Sequence, residues 1–533
     1  MRWTVAEIAD VVGGAIVRGD PATVVEMVTQ DSREIGGPDD PDRVSALFVP
    51  LVAERDGHDF IGASGAAAAL SSRPVDDLVG LTETIVVIEV DDTARALSAL
   101  GSAGRDRLEG GTVVGITGSV GKTTTKDLLA AVLAADRPTH ASHRSFNNEI
   151  GVPLTVFNAP EGTEALVLEM GARGIGHIAS LCAVGRPTVG IVTVVGAAHT
   201  SEFGSVEAVA LGKGELVESL PAATDGGVAV LNAANPLVMA MAARTSARVI
   251  TFGSGGDVRA ESVVLDDELV PSFVLVAAGA IEPPVRAAVT LGARGVHLVD
   301  NALAAAAAAL AVGVPIDTVV AGLARPVLSP MRMALVRSGR GTRVIDDSYN
   351  ANPMSTEAAL RSLASLVLPP DGRRIAVLGE MAELGDISAA EHARLGRLAV
   401  DLGIHVIAVG TPDYLAGLEM SASTGPDGGA GVDGGARTDA GPDGGAGVDT
   451  GARTDAGPDG GAGVDAGART DAGPGGDVGA GADAGADLAA GIPEALRLLV
   501  DPPLGAPIGP DDAVLVKGSR VAGLERLVAL LTA

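Results

Sequence analysis

Cysteine is almost absent from this chain of 533 residues, in which Cys182 is the single example. One cysteine cannot form a disulfide within the chain, so no disulfide framework holds this fold together. Cys182 lies in an apolar stretch, 177–184, that we predict to be helical. We therefore interpret it as a small buried hydrophobe rather than as a catalytic nucleophile.

Basic residues are also scarce. The chain has 38 Lys and Arg residues against 67 Asp and Glu residues, which gives a formal net charge of −29 and a pI near 4.5. This charge disfavours binding to nucleic acid or to an anionic membrane, because both partners are themselves anionic. An anionic substrate must therefore meet a locally basic site.

Long apolar runs are missing as well. The longest, 298–312, is mostly alanine and contains Asp300 and Asn301, which predicts a buried helix rather than a membrane span. The first residues, MRWTVAEIADVVGG, lack the long apolar core of a signal peptide. We expect a cytoplasmic protein with no nucleic-acid partner and no membrane insertion.

The chain is long enough for several domains, and the distribution of strand-like segments predicts three of the α/β class. Residues 1–108 hold short strand-like pieces without a phosphate loop, which indicates a small α/β domain. In 109–328 apolar strands alternate with Ala-rich helices, as in a mainly parallel sheet of the phosphate-loop ATPase kind. In 329–533 the strands end in polar or Gly-containing motifs, which indicates a Rossmann-like domain that faces a ligand. The strands predicted in the last two domains are 113–117, 165–169, 189–195, 228–232, 248–252, 343–346, 374–378, 405–409 and 513–516.

A low-complexity insert interrupts the third domain at 421–487. It repeats ARTDAGPDGGAGVD with a period of sixteen and consists almost wholly of Gly, Ala, Asp and Pro. Because this composition offers too little apolar surface to offset chain entropy, we interpret the insert as a disordered acidic loop. Calcium-binding β-rolls are also rich in Gly and Asp, but their repeat is nine residues long and needs an apolar residue in each turn.

The most informative motif is GITGSVGKTTTK, at 115–126. A Gly-rich turn that ends in Gly-Lys-Thr, between a buried strand and a helix over 122–135, is a phosphate cradle. Lys122 would neutralise the β- and γ-phosphates, and the Thr123 hydroxyl would hold Mg²⁺. Ile116 occupies the first glycine position of the strict motif, so the loop is a T-G-x-x-G-K-[ST] variant. The motif predicts an ATP-dependent enzyme.

Three further polar residues follow strands or helices beside this loop. Glu169 closes the predicted strand 165–169, and His199 follows the next strand, so both should reach the crevice. A carboxylate and an imidazole near a triphosphate suit divalent-metal coordination, although a helix-cap Glu and a surface His stay open as alternatives. Lys213 is a lone lysine in an otherwise weakly charged stretch, and the composition of that stretch indicates a solvated surface lysine.

Several long motifs, in order along the chain, strongly resemble those of the Mur ligases, and within that family those of the MurF type, the UDP-N-acetylmuramoyl-tripeptide:D-alanyl-D-alanine ligases. The resemblance covers nearly the whole chain apart from the acidic repeat. The motifs are HRSFNNEIGVPLTVF (143–157), EMGARGIGHIASLC (169–182), GAAHTSEFGSVEAVALGKGEL (196–216), DDSYNANPMS (346–355), LGEMAELGDISAAEH (378–392) and LVKGSR (515–520).

The resemblance implies an ATP-dependent amide ligase of peptidoglycan precursor synthesis. Its substrates would be UDP-MurNAc-tripeptide and D-Ala-D-Ala, joined through an acyl phosphate with two Mg²⁺ ions, and the protein would be a monomer. The implied catalytic residues are Lys122, Glu169, His199 and Lys213. Lys213 would be carbamylated, and its carbamate would hold metal together with Thr123, Glu169 and His199.

The resemblance also implies binding residues in all three domains. Those assigned to ATP are Gly118, Ser119, Gly121, Lys122, Thr123, Thr124, Asn147, Asn148, His297, Asn301, Arg332, Asp347, Tyr349 and Asn350. Those assigned to the other substrates are Asp31, Ser32 and Arg33, which would grip the uridine nucleotide, and Lys517, Ser519 and Arg520, which would contact the dipeptide or the peptide.

Other functions compete with this hypothesis. A MurE-type ligase would add a diamino acid, but its D-N-P-R motif is absent. MurC and MurD types would begin with a dinucleotide-fold Gly-rich turn, which is also absent. A catalytically silent Mur-fold binding protein would not need the intact set of Lys122, Thr123, Glu169, His199 and Lys213. A scaffold that acts through the acidic repeat would lose its function when that repeat is deleted.

Overall fold

Three β-sheets follow one another along the chain in a computed structural model, which describes residues 1–35, 44–108, 110–196, 200–416, 486–502 and 506–533. These residues belong to a single contact unit formed by Met1–Glu419 and Ala482–Ala533. His199 and nearly all of the predicted acidic insert lie outside the described residues.

The first sheet is small and lies in the N-terminal part of the chain. Its order is β2-β7-β6-β5-β4, with parallel pairs among β4, β5, β6 and β7, while β1 pairs with β3 in a separate antiparallel ribbon. The strands are β1 (Trp3–Thr4), β2 (Ala15–Arg18), β3 (Val24–Val25), β4 (Met27–Thr29), β5 (Ala46–Phe48), β6 (Ala68–Ser71) and β7 (Val86–Glu89). The helices Val5–Val12 and Thr93–Asp106 pack on its apolar core.

The second sheet has nine strands among the described residues, in the order β16-β15-β14-β13-β12-β11-β8-β10-β9. They are β8 (Thr112–Thr117), β9 (Thr139–Ala141), β10 (Ala165–Glu169), β11 (Val189–Val192), β12 (Val228–Asn232), β13 (Arg248–Phe252), β14 (Val258–Leu265), β15 (Pro271–Ala277) and β16 (Val285–Thr290). All pairs from β9 to β14 are parallel, whereas β14, β15 and β16 pair antiparallel.

Helices cover both faces of this sheet, because its central strands are apolar on both sides. One face packs against Lys122–Ala134, Leu298–Ala311 and Ile316–Ala324. The other packs against Gly151–Phe157, His177–Gly185 and Val206–Glu218, and the short helices Thr200–Phe203 and Pro236–Met239 lie nearby in the chain. The Ala-rich helix is buried, as its composition predicts, and Cys182 is a buried residue of the second core.

The third sheet has the order β17-β18-β22-β19-β20-β21 and is parallel except for the edge pair β17 and β18. Its strands are β17 (Ala334–Arg337), β18 (Arg343–Asp346), β19 (Arg374–Gly379), β20 (His405–Val409), β21 (Ala486–Ala489) and β22 (Ala513–Lys517). Its helices are Pro353–Ser365, Ser388–Asp401, Ile492–Val500 and Glu525–Thr532.

The predicted α/β class and three-part sheet architecture are confirmed. Most predicted parallel strands match within one residue, although 189–195 is too long, since β11 ends at Val192. The antiparallel strands β14, β15 and β16 were not predicted, although β15 contains the apolar run 273–277; β14 and β16 are largely solvent-accessible and lack such a run. β21 begins at Ala486, so the last two residues of the interval 421–487 form part of a strand.

Candidate active site

The phosphate loop lies at the carboxyl end of β8, which is flanked by β10 and β11 in parallel register. Gly118 and Gly121 adopt φ of 148° and 86°, which L side chains rarely adopt. A Cβ at Gly118 would lie 1.9 Å from Thr193 Oγ1. Lys122 Nζ donates to Gly118 O at 2.8 Å, so the lysine folds back over the loop. The turn therefore depends on glycine for both conformation and space.

A cavity of about 460 Å³ opens above this loop and is lined from both the second and the third sheet. It brings together most of the residues that sequence resemblance assigns to ATP. Those lining it are Ser119, Gly121, Lys122, Thr123, Thr124, Asn147, His297, Asn301, Arg332, Asp347, Tyr349 and Asn350, together with Glu169 and Lys517. A concave site of this size, with several convergent polar groups, is typical of a small-molecule pocket.

Glu169 ends β10 at the same sheet edge as the phosphate loop, since its Cα pairs with Ile116 of β8. Its side chain is buried, and Oε1 accepts a hydrogen bond from Asn147 Nδ2 at 2.8 Å. Oε2 is buried and has no hydrogen-bond partner among the residues that the structure describes. A buried carboxylate oxygen without a partner is costly, so this atom fits a cation that binds together with the nucleotide.

Lys213 lies on the helix Val206–Glu218 and is 1% exposed, so it is not the solvated lysine that its sequence surroundings indicate. It lines a second cavity of about 250 Å³, which shares Lys122 and Asn147 with the first. Burial, reinforced by the nearby Lys122 charge, lowers the pKa of Lys213 to about 7. A substantial fraction of this amine is therefore neutral near pH 7.

Within the described ranges, no group of three or more His, Cys, Asp or Glu side chains is placed to hold a metal ion. Mg²⁺ is usually held by one or two carboxylates together with substrate phosphates and water, so a full protein cage is not required. Thr123 and Glu169 both line the main cavity, and Lys213 lines the adjoining one. His199, the fourth predicted metal ligand, lies outside the described residues.

Residues of the third sheet region reach directly to the phosphate loop. Arg332 Nη2 donates to Thr123 Oγ1 at 3.0 Å, and the Arg332 guanidinium lies 4.5 Å from the centre of the Tyr349 ring. Lys517 Nζ lies 2.5 Å from Asp347 Oδ2 and donates to Asn350 O at 3.0 Å. The positive end of Lys517 therefore faces the nucleotide cavity.

Two residues of the Ala-rich helix region close the other side of the cavity. Asn301 Nδ2 donates to Gly121 O at 3.1 Å and so holds the backbone of the phosphate loop. His297 lines the same cavity, and burial lowers its pKa to about 4, which keeps the imidazole neutral at pH 7. Both side chains thus line the cavity without adding charge to it.

The remaining predicted residues do not line the main cavity. Asp31 and Arg33 form a local ion pair of 2.6 Å at the carboxyl end of β4, and Ser32 lies between them. Asn148 lines the second cavity, beside Lys213, and its Oδ1 accepts from Gly151 N at 2.9 Å. Ser519 is buried, while Arg520 lies with its guanidinium 5.9 Å from the Tyr349 ring centre.

Sequence reasoning missed several residues that line the main cavity. Thr193 and Asn232 lie at or beyond the carboxyl ends of β11 and β12, and Asn232 Nδ2 donates to Thr193 O at 2.9 Å. The rule that ligands lie at the carboxyl ends of parallel strands identifies both once the strands are known. Asp127, on the phosphate-loop helix, carries no such signal, because a charged residue in a helix usually faces solvent.

The fold and this cavity together define a Mur ligase. A model described as the Mur ligase middle domain matches residues 116–309, and one described as the Mur ligase glutamate ligase domain matches residues 331–431. The chain is 42% identical over 456 residues to the UDP-N-acetylmuramoyl-tripeptide–D-alanyl-D-alanine ligase of Mycobacterium tuberculosis, with 79% of this chain and 86% of that protein covered. It is 35% identical to the ligase of that name from Bacillus subtilis, with 74% and 82% covered.

A crystal structure of MurF from Acinetobacter baumannii has a similar fold. Its TM-score is 0.75 at 27% sequence identity, and the match covers 100% of this chain and 99% of that one. The chain belongs to the MurF family, the UDP-N-acetylmuramoyl-tripeptide–D-alanyl-D-alanine ligases. The resemblance found in the sequence motifs is therefore confirmed.

None of the helices in the described part of the chain is both long enough and apolar enough to span a membrane.

Proposed function

We propose that this protein is an ATP-dependent ligase that joins D-Ala-D-Ala to UDP-MurNAc-tripeptide in peptidoglycan synthesis. The observation that supports this most directly is the shared cavity, in which the phosphate loop meets Arg332, Asp347 and Lys517 of the third sheet region. ATP and an acceptor held by different parts of the chain meet there. The products are UDP-MurNAc-pentapeptide, ADP and phosphate, and we propose the cytoplasm as the compartment because ATP is consumed.

The reaction requires two bond changes. The terminal carboxylate of the tripeptide attacks the γ-phosphorus of ATP, which breaks the bond to ADP and forms an acyl phosphate. The amine of D-Ala-D-Ala then attacks the acyl carbon, loses a proton, and displaces inorganic phosphate. In the first step negative charge spreads over the oxygens of the transferred phosphoryl group and builds up on the leaving ADP oxygen. We assign Lys122 and Arg332, which line the cavity, to its neutralisation.

Side chains on both sides of the cavity hold the nucleotide. Backbone N–H groups of the loop, with Ser119, Gly121 and Thr124, bind phosphate, and Asn147, His297, Asn301, Tyr349 and Asn350 line the remaining wall. We assign the ribose to Asp347. Because Lys517 is paired with Asp347, we place Lys517 beside the nucleotide and leave Ser519 and Arg520 as the contacts for the dipeptide or peptide.

Thr123, Glu169 and Lys213 are the described residues that would hold Mg²⁺, with His199 as a further ligand. The partnerless Oε2 of Glu169 fits this assignment. Bound Mg²⁺ would offset the charge of the phosphates. We further propose that Lys213 is carbamylated: its neutral amine attacks carbon dioxide, forms a C–N bond and releases one proton, which gives an anionic metal ligand.

The first sheet region is assigned to the uridine nucleotide. Asp31, Ser32 and Arg33 follow β4 at the carboxyl edge of its parallel strands, where open α/β sheets bind ligands. We propose domain limits at 1–108, 109–328 and 329–533, with the low-complexity insert at 421–487, and a monomer as the functional unit.

Phosphate release from ATP, measured with UDP-MurNAc-tripeptide and one acceptor at a time, tests this function. We expect release that depends on D-Ala-D-Ala, and we expect Lys122→Ala to reduce it at least about 100-fold through the loss of transition-state charge stabilisation. Release only with a diamino acid would reassign the protein to the MurE type. No release from a folded protein that still binds an ATP analogue would identify a silent binding protein.

A further inference from the structure

Two charged residues are buried side by side on the phosphate-loop helix, one turn after Thr123. Lys126 is 3% exposed and Asp127 is 7% exposed, and Lys126 Nζ lies 2.9 Å from Asp127 Oδ1. Burying an ion pair is costly unless further hydrogen bonds satisfy both groups. The neighbours of this pair therefore indicate what it holds in place.

Lys126 holds the chain segment 142–147. Its ammonium donates to Ser142 O and to Arg144 O, each at 2.9 Å. The ion pair with Asp127 adds a third polar contact to this ammonium. Arg144 has a φ of 49°, a left-handed conformation that is unfavourable for a residue with a side chain. Lys126 thus stabilises a strained turn that directly follows β9.

The same turn fixes Glu169. Ser142 Oγ accepts a hydrogen bond from Glu169 N at 3.1 Å, and Asn147 Nδ2 donates to Glu169 Oε1 at 2.8 Å. Asn147 O also accepts from Gly171 N at 2.7 Å. Lys126 therefore sets the backbone and one carboxylate oxygen of Glu169 through residues 142–147, while Oε2 has no hydrogen-bond partner among the described residues.

Asp127 holds a second segment. Its Oδ2 accepts from Ser329 N at 2.7 Å, three residues before Arg332. Arg332 in turn donates to Thr123 Oγ1. Asp127 thus anchors the connection between the second and third sheets to the helix that carries Lys122 and Thr123, one turn further along.

We propose that Lys126 and Asp127 are a pair of positioning residues for phosphoryl transfer. Lys126 fixes the metal ligand Glu169, and Asp127 fixes Arg332, both relative to the phosphate loop. This inference rests on the proposed function, because Glu169 and Arg332 take their roles from it. It explains why a charged pair is kept in the interior, where an apolar pair would pack with no desolvation penalty.

Lys126→Met tests the first half. We expect kcat to fall about 10- to 100-fold, as for other residues that orient a metal ligand, with KM for ATP nearly unchanged. Raising the Mg²⁺ concentration should restore part of the lost kcat, an effect that a merely loosened fold would not show. Electron paramagnetic resonance of Mn²⁺, titrated with a non-hydrolysable ATP analogue, should show weaker Mn²⁺ binding in the variant.

Asp127→Asn tests the second half and does not depend on the folding of the lysine variant. Because Asp127 acts through Arg332, its effect on kcat should nearly vanish when Arg332 is already alanine. Glu357→Gln is the matched control, since it also removes a paired carboxylate from a helix, but at a more exposed position. We expect it to leave kcat and Mn²⁺ binding unchanged.

The outcomes separate this inference from the proposed function. Wild-type kcat and Mn²⁺ binding in Lys126→Met, or purely additive effects of Asp127→Asn and Arg332→Ala in an active ligase, would overturn the positioning role. An inactive wild-type protein would refute the proposed function instead. In that case weaker Mn²⁺ binding in Lys126→Met would still support the role of Lys126, and unchanged binding would reject it.

Discussion

The surroundings of Lys213 lower the pKa of its side-chain amine. The ammonium group of an exposed lysine is charged at neutral pH, but this side chain is 1% exposed, and its pKa falls to about 7. Burial is the larger cause and the Lys122 charge the smaller one. Only the neutral amine attacks carbon dioxide, so burial makes carbamylation feasible at a pH where an ordinary lysine is unreactive.

We expect activity to depend on carbon dioxide in a way that follows the Lys213 pKa. Protein freed of carbon dioxide should lose activity and regain it with bicarbonate, and the regain should increase as the pH rises through about 7, because the amine loses its proton there. Lys213→Ala should be at least about 10-fold less active, as for other losses of metal-site groups. Steady-state rates and isotope incorporation from ¹³C-bicarbonate measure both effects. Equal activity of wild type and Lys213→Ala would contradict the carbamate.

At the scale of elements, the phosphate loop is a turn whose shape only glycine permits at two positions. A side chain at Gly118 would need an unfavourable φ and would collide with Thr193 on the neighbouring strand connection. The loop and the end of β11 are therefore packed as one unit. Ser119 N also donates to Val194 O at 2.7 Å, which adds a backbone link between them.

Gly118→Ala should deform this unit. We expect kcat/KM for ATP to fall about 100-fold, because a shift of about 1 Å at the phosphates misaligns the reacting groups. Gly162→Ala is the control, since Gly162 also has a positive φ, of 80°, but a Cβ there meets nothing within 4 Å. Kinetics with ATP and thermal melting distinguish the two variants. Similar kinetic losses in both would show that backbone strain, and not the collision with Thr193, is responsible.

For the whole molecule, the main cavity unites parts of the chain that are far apart in sequence. Thr123 and Arg332, 209 residues apart, share a hydrogen bond, and Lys517 lies beside Asp347 from 170 residues away. The described residues that line this cavity end at Ala358 and resume at Lys517, so none falls between them.

Replacing residues 421–480 by a short Gly-Ser linker should leave the ligase active. We expect kcat to stay within about twofold, since the composition of the repeat predicts a disordered loop, and such loops tolerate large changes in length. The linker must let Ala486–Ala489 still pair with His405–Val409, so circular dichroism serves as a folding control. Loss of biological function with full activity in vitro would instead support a scaffold role for the repeat.

The sequence by itself determined the phosphate loop, most parallel strands of the second and third sheets, and the family. These features depend on residues that are adjacent in sequence. A glycine turn before a helix, or an apolar run such as Val228–Asn232, predicts the same local structure wherever it lies in the fold. It also placed Glu169 at the correct strand end, because strand ends follow from strand positions.

Only the tertiary structure decided the environment of individual charges. Lys213 is predicted to be a surface residue and is buried. Lys126 and Asp127 hold two other segments of the chain, and Arg332 reaches Thr123 from the third sheet region. The physical reason is that the pKa, the hydrogen bonds and the burial of a side chain depend on neighbours contributed by distant parts of the chain, and a pattern of adjacent residues does not specify those neighbours.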